Sequence, residues 1–130
     1  MRHVILLLGA IVVAGTVASA HHSYGATYET KKEVKLEGKL VGFSYRNPHS
    51  FVTIMAPDAS GTMQRWAIEW SGTSQLANSG IKPESLKVGD QVVITGRPSR
   101  VTGEYRVLMV RLLRPSDGFA WGSRGGEVVD

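Results

Sequence analysis

Between Val34 and Leu113 the chain is a succession of short runs in which apolar residues recur every second position. That is the period of a strand with one buried face. The first run places Val34, Leu36 and Leu40 on one register and Val41, Phe43 and Tyr45 on the other. Its face switches near Gly38 and Gly42, glycines of the kind that mark bulges or sharp coiling where a strand bends around a small barrel. After Asn47-Pro48-His49, a second strand is predicted over Phe51 to Ala56, and Pro57 to Gly61 carries turn residues. A third strand, Met63 to Trp70, sets Trp66, Ile68 and Trp70 on one face, with Arg65 and Glu69 on the other. Ser71 to Gly80 then reads as a short helix. Ser71, Thr73 or Ser74 is its cap, Leu76 and Ala77 its apolar side, and Gly80 before Ile81 its glycine stop. Beyond a connector over 82–90, a fourth strand spans Gln91 to Gly96 and a loop covers Arg97 to Gly103. A fifth strand runs from about Glu104 to Leu113, with Leu108, Val110 and Leu112 facing inward.

Three strands, one short helix and two strands is the element order of the OB-fold. The fold class expected is therefore mainly β, a five-stranded OB-like Greek-key barrel with one short helix between strands 3 and 4. A β-sandwich with the helix misassigned is the competing topology. The domain is drawn over residues 21–115, and the glycine-rich residues 116–130 are predicted to form a flexible tail, with Phe119 and Trp121 available to pack back. No internal repeat is present.

The 130 residues suffice for one domain, and 42% hydrophobic against 20% charged residues is a globular balance. Residues 1–20 stand apart. A basic lead through Arg2, an apolar run from Val4 to Val17 and small residues at Ala18-Ser19-Ala20 make a cleavable signal peptide, cut after Ala20. The apolar run falls short of the about 20 residues a membrane-spanning helix needs, so an uncleaved anchor is the weaker alternative. A periplasmic or secreted location follows, with no stable membrane span after cleavage. With no cysteine, the exported chain has neither a disulfide nor a lipid-anchor site. Removal of Arg2 leaves the remaining 110 residues with 14 basic against 11 acidic side chains, a mild excess that does not announce nucleic acid.

Three histidines remain, His21, His22 and His49, and the first two begin the processed chain. An N-terminal histidine joins an amine and an imidazole on one residue, and the amine loses its proton to a metal near neutrality. A second imidazole opposite brings three nitrogens into a plane. Cu(II) favours such tetragonal nitrogen sites and stands highest in the divalent affinity order. His49 is the candidate for that imidazole. Pro48 fixes its own φ and extends Asn47, so the turn presents His49 in one direction. The chain from His21 to Val34 extends at most about 45 Å, which lets the two ends meet without requiring it. Taken singly, Asn47-Pro48-His49 is better read as a surface turn and His21-His22 as a frayed terminus; the metal reading rests on the two together. The metal expected is copper, on His21, His22 and His49.

Other residues offer a second class of function. Arg106 and Arg111, with Arg97, Arg100 and Arg114, gather around the hairpin of strands 4 and 5, where OB-folds often bind ligands. Together with Trp66 and Glu69 they define a candidate surface for a small anionic envelope ligand or a partner protein. Trp66 and Trp70 belong to the core in the plainer view, and Glu69 to the sheet rim. Gly-x-Ser-x-Gly, a cysteine nucleophile and phosphate-binding glycine patterns are all missing, so covalent hydrolysis and nucleotide chemistry have no foothold. A copper-dependent oxidoreductase is the third class; the chain is short for a substrate platform, which favours a binder over an enzyme.

The combination His21-His22-Ser23-Tyr24, Val34-Lys-Leu-Glu-Gly38, Asn47-Pro48-His49, Trp66-Ala-Ile-Glu-Trp70, Leu86-Lys-Val-Gly-Asp90 and Val92-Val-Ile-Thr-Gly-Arg-Pro98 resembles a family of small exported bacterial proteins, domain-of-unknown-function family 6152. The resemblance covers residues 21 to 114 and implies a periplasmic or secreted setting. It brings no activity with it, and the metal expectation rests on the residues alone.

Overall fold

Strand β1 (Val34–Ser44) is long enough to serve two neighbours. Its first half, Val34 to Lys39, pairs antiparallel with β4 (Gln91–Pro98), and its second half, Lys39 to Ser44, with β2 (Phe51–Pro57). Strand β2 pairs in turn with β3 (Met63–Glu69), and β4 with β5 (Arg106–Arg114). A parallel pairing of β3 with β5 closes the ring. The result is a closed five-stranded OB-like barrel, with α2 (Thr73–Asn78) and a 3₁₀ turn over Pro83–Ser85 between β3 and β4. In the computed structural model, residues 23–122 are described. The expectations for the signal segment 1–20, for His21 and His22, and for residues 123–130 lie outside the described residues.

The bend in β1 has the cause its glycines suggested. Val41 is an extra residue in the pairing with β2, between Leu40 opposite Ile54 and Gly42 opposite Thr53. At Gly38 the backbones press together. A Cβ there would lie 2.1 Å from the Met55 carbonyl oxygen, so only glycine allows the crossing. Inside the ring, Leu36, Leu40, Val52, Ile54, Ile68, Ile94, Val107 and Leu112 are buried and form one core.

Three expectations change. On β5 the buried residues are Val107, Met109 and Leu112, while Leu108 and Val110 are only half-buried. Val110 is an extra residue between Met109 opposite Gly96 and Arg111 opposite Thr95, and that bulge moves the inward face by one position. The tail from 116 on is not loose throughout. β6 (Phe119–Gly122) pairs with β5, because Trp121 packs edge-on against buried Trp70 at 5.1 Å and Phe119 stacks under the Arg114 guanidinium. Helix α2 carries no side-chain cap of its own, since Gly72 stands at the N-cap. Its far end follows the sequence pattern. Gly80, at φ +77°, sends its N–H to Ala77 while Ile81 bonds back to the Leu76 carbonyl, a Schellman stop.

Gly38→Ala is expected to destabilise the domain by at least about 2 kcal/mol, because the new methyl group meets backbone that cannot yield. At Gly42 the nearest atom to a Cβ is 3.8 Å away, and Gly42→Ala should stay within about 0.5 kcal/mol of wild type. Denaturant midpoints read both values. Equal effects at the two positions would contradict the tight crossing at Gly38.

Candidate functional site

The turn carrying His49 is fixed from three sides. The Ser50 hydroxyl donates to the Arg46 carbonyl at 3.1 Å, and its oxygen accepts the Arg46 N–H at 3.1 Å, which closes the loop on itself. Ser50 then joins the end of β3: its N–H donates to Ser71, and its carbonyl accepts from Trp70. Asn47 supplies the cap that α2 lacks, its Oδ1 accepting from the Thr73 N–H at 3.0 Å and the Thr73 hydroxyl at 3.1 Å. Gly72 makes room for this. A Cβ at that position would meet the Pro48 carbonyl at 2.7 Å. The Asn47–Pro48 peptide is cis.

Barrel closure brings the second part. The β3–β5 pairing sets Ala67 opposite Arg106 and Glu69 opposite Leu108, so an acid on one strand and a base on the other face each other across the seam. The N-terminal segment covers that seam. Tyr28 bridges to Ser99, Glu29 N–H donates to Pro98, and Arg100 N–H donates to the Thr27 carbonyl. The short helix α1 (Tyr24–Thr27) therefore lies beside the His49 turn.

At the centre is Glu69, 5% exposed. Its Oε1 lies 2.6 Å from His49 Nδ1. Its Oε2 accepts from Arg106 Nη2 at 2.6 Å and from the Tyr28 hydroxyl. The same Tyr28 oxygen accepts from Arg106 Nε at 2.7 Å, so the three side chains form a closed triangle. On the far side of the imidazole, the Tyr24 hydroxyl sits 3.3 Å from His49 Nε2.

The proton affinities follow from these contacts. Burial alone raises the affinity of the Glu69 carboxylate for a proton. Hydrogen bonds from Tyr28, Arg106 and His49 and the Arg106 charge outweigh it and hold Glu69 below the ordinary carboxyl value. Tyr28 is pushed well above the phenol range, first by burial and then by its hydrogen bond to Glu69. Tyr24 is raised by burial and by the same negative charge. Burial would lower the Arg106 value, but the Glu69 hydrogen bond and the Tyr28 contact turn the net shift upward.

These groups line a cavity of about 590 Å³ together with Thr27, Arg46, Asn47, Pro48 and Phe51. His49, Glu69 and Arg106, each singled out in the sequence, meet here. Arg111 and Trp66 do not. Arg111 stands opposite Thr95 and Gly122, and Trp66 packs edge-on against Tyr105 and donates to the Ala56 carbonyl. Glu69 is no rim carboxylate, because the N-terminal segment and the His49 turn bury it. Sequence reasoning missed Tyr24, Tyr28, Arg46 and Phe51. The four-residue spacing of the two tyrosines, in a stretch otherwise without pattern, was the available signal for the first pair.

Chemically, a carboxylate on Nδ1 selects the tautomer in which that nitrogen carries the proton, which makes Nε2 the acceptor of the Tyr24 hydroxyl at the edge of the cavity. Such a nitrogen is a metal ligand or a proton acceptor. Among the described residues, no cluster of three or more His, Asp or Glu side chains is arranged to hold a metal ion.

The model of a family of unknown function, DUF6152, matches residues 10–106. The chain belongs to that family. Comparison with curated proteins and with solved structures returns no match.

Replacing Glu69 by Gln should cost about 2–3 kcal/mol at neutral pH, below the cost of breaking a fully buried pair because His49 and Arg106 are each one-third exposed. The folded-state value of Glu69 is depressed, so its contribution is present above the ordinary carboxyl value and lost as pH falls through the folded one. The stability gap between wild type and Glu69→Gln should therefore shrink as pH falls below about 4. Asp58, held at about 2 chiefly by the Ser60 hydroxyl, titrates in both proteins and cancels. Urea titrations across pH check this; a constant gap down to low pH would contradict the shared carboxylate.

Proposed function

We propose that the protein is an exported β-barrel binding module that takes up a transition metal, copper foremost, through its processed N-terminus and His49. The observation that carries this is the orientation of His49. Glu69 occupies Nδ1, and among the described residues Nε2 meets the Tyr24 hydroxyl alone, in a 3.3 Å hydrogen bond that a metal ion would displace. Histidine ligands of metals are commonly backed by a carboxylate in this way, which fixes the ring's tautomer and orientation. Tyr24 follows His21 by three residues, and about 3.8 Å per residue leaves the histidine pair within reach of His49.

Cleavage after Ala20 frees the amine of His21, so its amine and imidazole and His49 Nε2 make a three-nitrogen set for Cu(II). His22 is the alternative imidazole on the N-terminal side. Such a module fits a carrier or sensor in the periplasm or outside the cell. Its partner is a metal ion, and the proposal is one of binding, with no turnover assigned.

Protein beginning at His21, established by intact mass, should take one equivalent of Cu(II) with an axial EPR spectrum showing nitrogen hyperfine structure. Affinity should be tighter than about 1 µM, roughly −8 kcal/mol. His49→Ala, or one extra residue before His21, should weaken it at least tenfold, and Glu69→Gln by about 10- to 100-fold. A His49→Ala variant that binds as tightly as wild type would overturn the folded site and leave a copper complex of the N-terminus alone.

A further inference from the structure

We propose that the cavity beside His49 also receives an organic carboxylate with an apolar body, held by Arg46 and the outer edge of Arg106 across the ring of Phe51. This does not rest on the metal reading, since neither guanidinium is a metal ligand.

The cavity is lined by two arginines, Arg46 and Arg106. Among the described residues Glu69 is the only carboxylate lining the cavity, and both its oxygens are taken, one by His49 and the other by Arg106 and Tyr28. Arg106 spends Nε and Nη2 on Tyr28 and Glu69, which leaves Nη1 without a hydrogen bond among the described residues. The Arg46 side chain has neither a hydrogen bond nor an ion pair among the described residues, yet it is not splayed at random. Its guanidinium carbon lies 5.4 Å from the centre of the Phe51 ring, and that of Arg106 lies 5.5 Å from the same ring. Two cations thus share one aromatic ring and one cavity with, among the described residues, a single and already satisfied negative charge.

The missing partner is an anion with planar oxygens. A guanidinium fork pairs with a carboxylate through two parallel N–H···O bonds. Phe51, Pro48 and the ring of Tyr28 add apolar lining, which a bare inorganic anion would leave uncovered. A cavity of about 590 Å³ lies within the usual size of small-molecule sites, about 300–1,000 Å³. An aromatic or branched aliphatic acid has both required parts. Arg111, the second arginine of the sequence-derived ligand surface, has no place in this site.

The test uses metal-free processed protein and three probes: benzoate, its neutral counterpart benzyl alcohol, and inorganic phosphate. Benzoate should bind with saturable shifts of the Phe51 and Tyr28 NMR signals, and both other probes at least tenfold more weakly. Arg46 is exposed, so Arg46→Gln keeps the fold, confirmed by an unchanged denaturant midpoint, and should lose at least tenfold in benzoate affinity. Arg111→Gln should match wild type. Equal binding of benzyl alcohol, equal binding of phosphate, or an unaffected Arg46→Gln variant would each overturn the carboxylate site. His49→Ala should retain benzoate while binding copper at least tenfold more weakly, so failure of one proposal is separable from failure of the other.

Discussion

One buried carboxylate organises this end of the barrel. Taking Glu69 out of water costs several kcal/mol unless its oxygens are satisfied. Here Arg106, Tyr28 and His49 supply the partners, each from a different part of the chain. Arg106 comes from the strand that closes the ring, Tyr28 from the segment laid over the seam, and His49 from the turn between the first two strands. Each is positioned by meeting the same group. Loss of the carboxylate would remove one shared partner from a cation, a phenol and an imidazole at once.

The barrel makes that meeting possible. A strand that bends at Gly38 and Val41 can pair on both sides, and only then do β3 and β5 come within hydrogen-bonding distance. Asn47 links the turn to α2 by capping a helix whose own N-cap is a glycine, so helix and turn hold each other in place. The cavity is therefore built from the rigid ends of strands and one pinned loop, the kind of support a preorganised site requires.

Much of this architecture is legible along the chain. Period-two alternation marks the five strands, Gly80-Ile81 marks the helix stop, and the glycines of β1 mark its bend. The inward face of β5 was misplaced because the bulge at Val110 depends on its partner strand, which no single segment reveals. The packing back of Phe119 and Trp121 was legible but their strand was not, since it depends on pairing with β5 and on Trp70, fifty-one residues before Trp121. Within the site, His49 and Arg106 were identifiable as chemistry-bearing residues. The burial of Glu69 was not, because alternation alone places it on the outer face, and the elements that cover that face arrive from residues 24–28 and 46–50.

The central claim is that Glu69 sets the tautomer of His49 and so keeps Nε2 as the unprotonated, ligating nitrogen beside Tyr24. Long-range ¹H–¹⁵N correlation of the imidazole reads this directly in metal-free protein, at a pH of about 9, well above the ordinary histidine value. The account predicts the Nδ1-protonated form for His49 in wild type and a shift toward the Nε2-protonated form in Glu69→Gln. An Nε2-protonated His49 in the wild-type protein would contradict it.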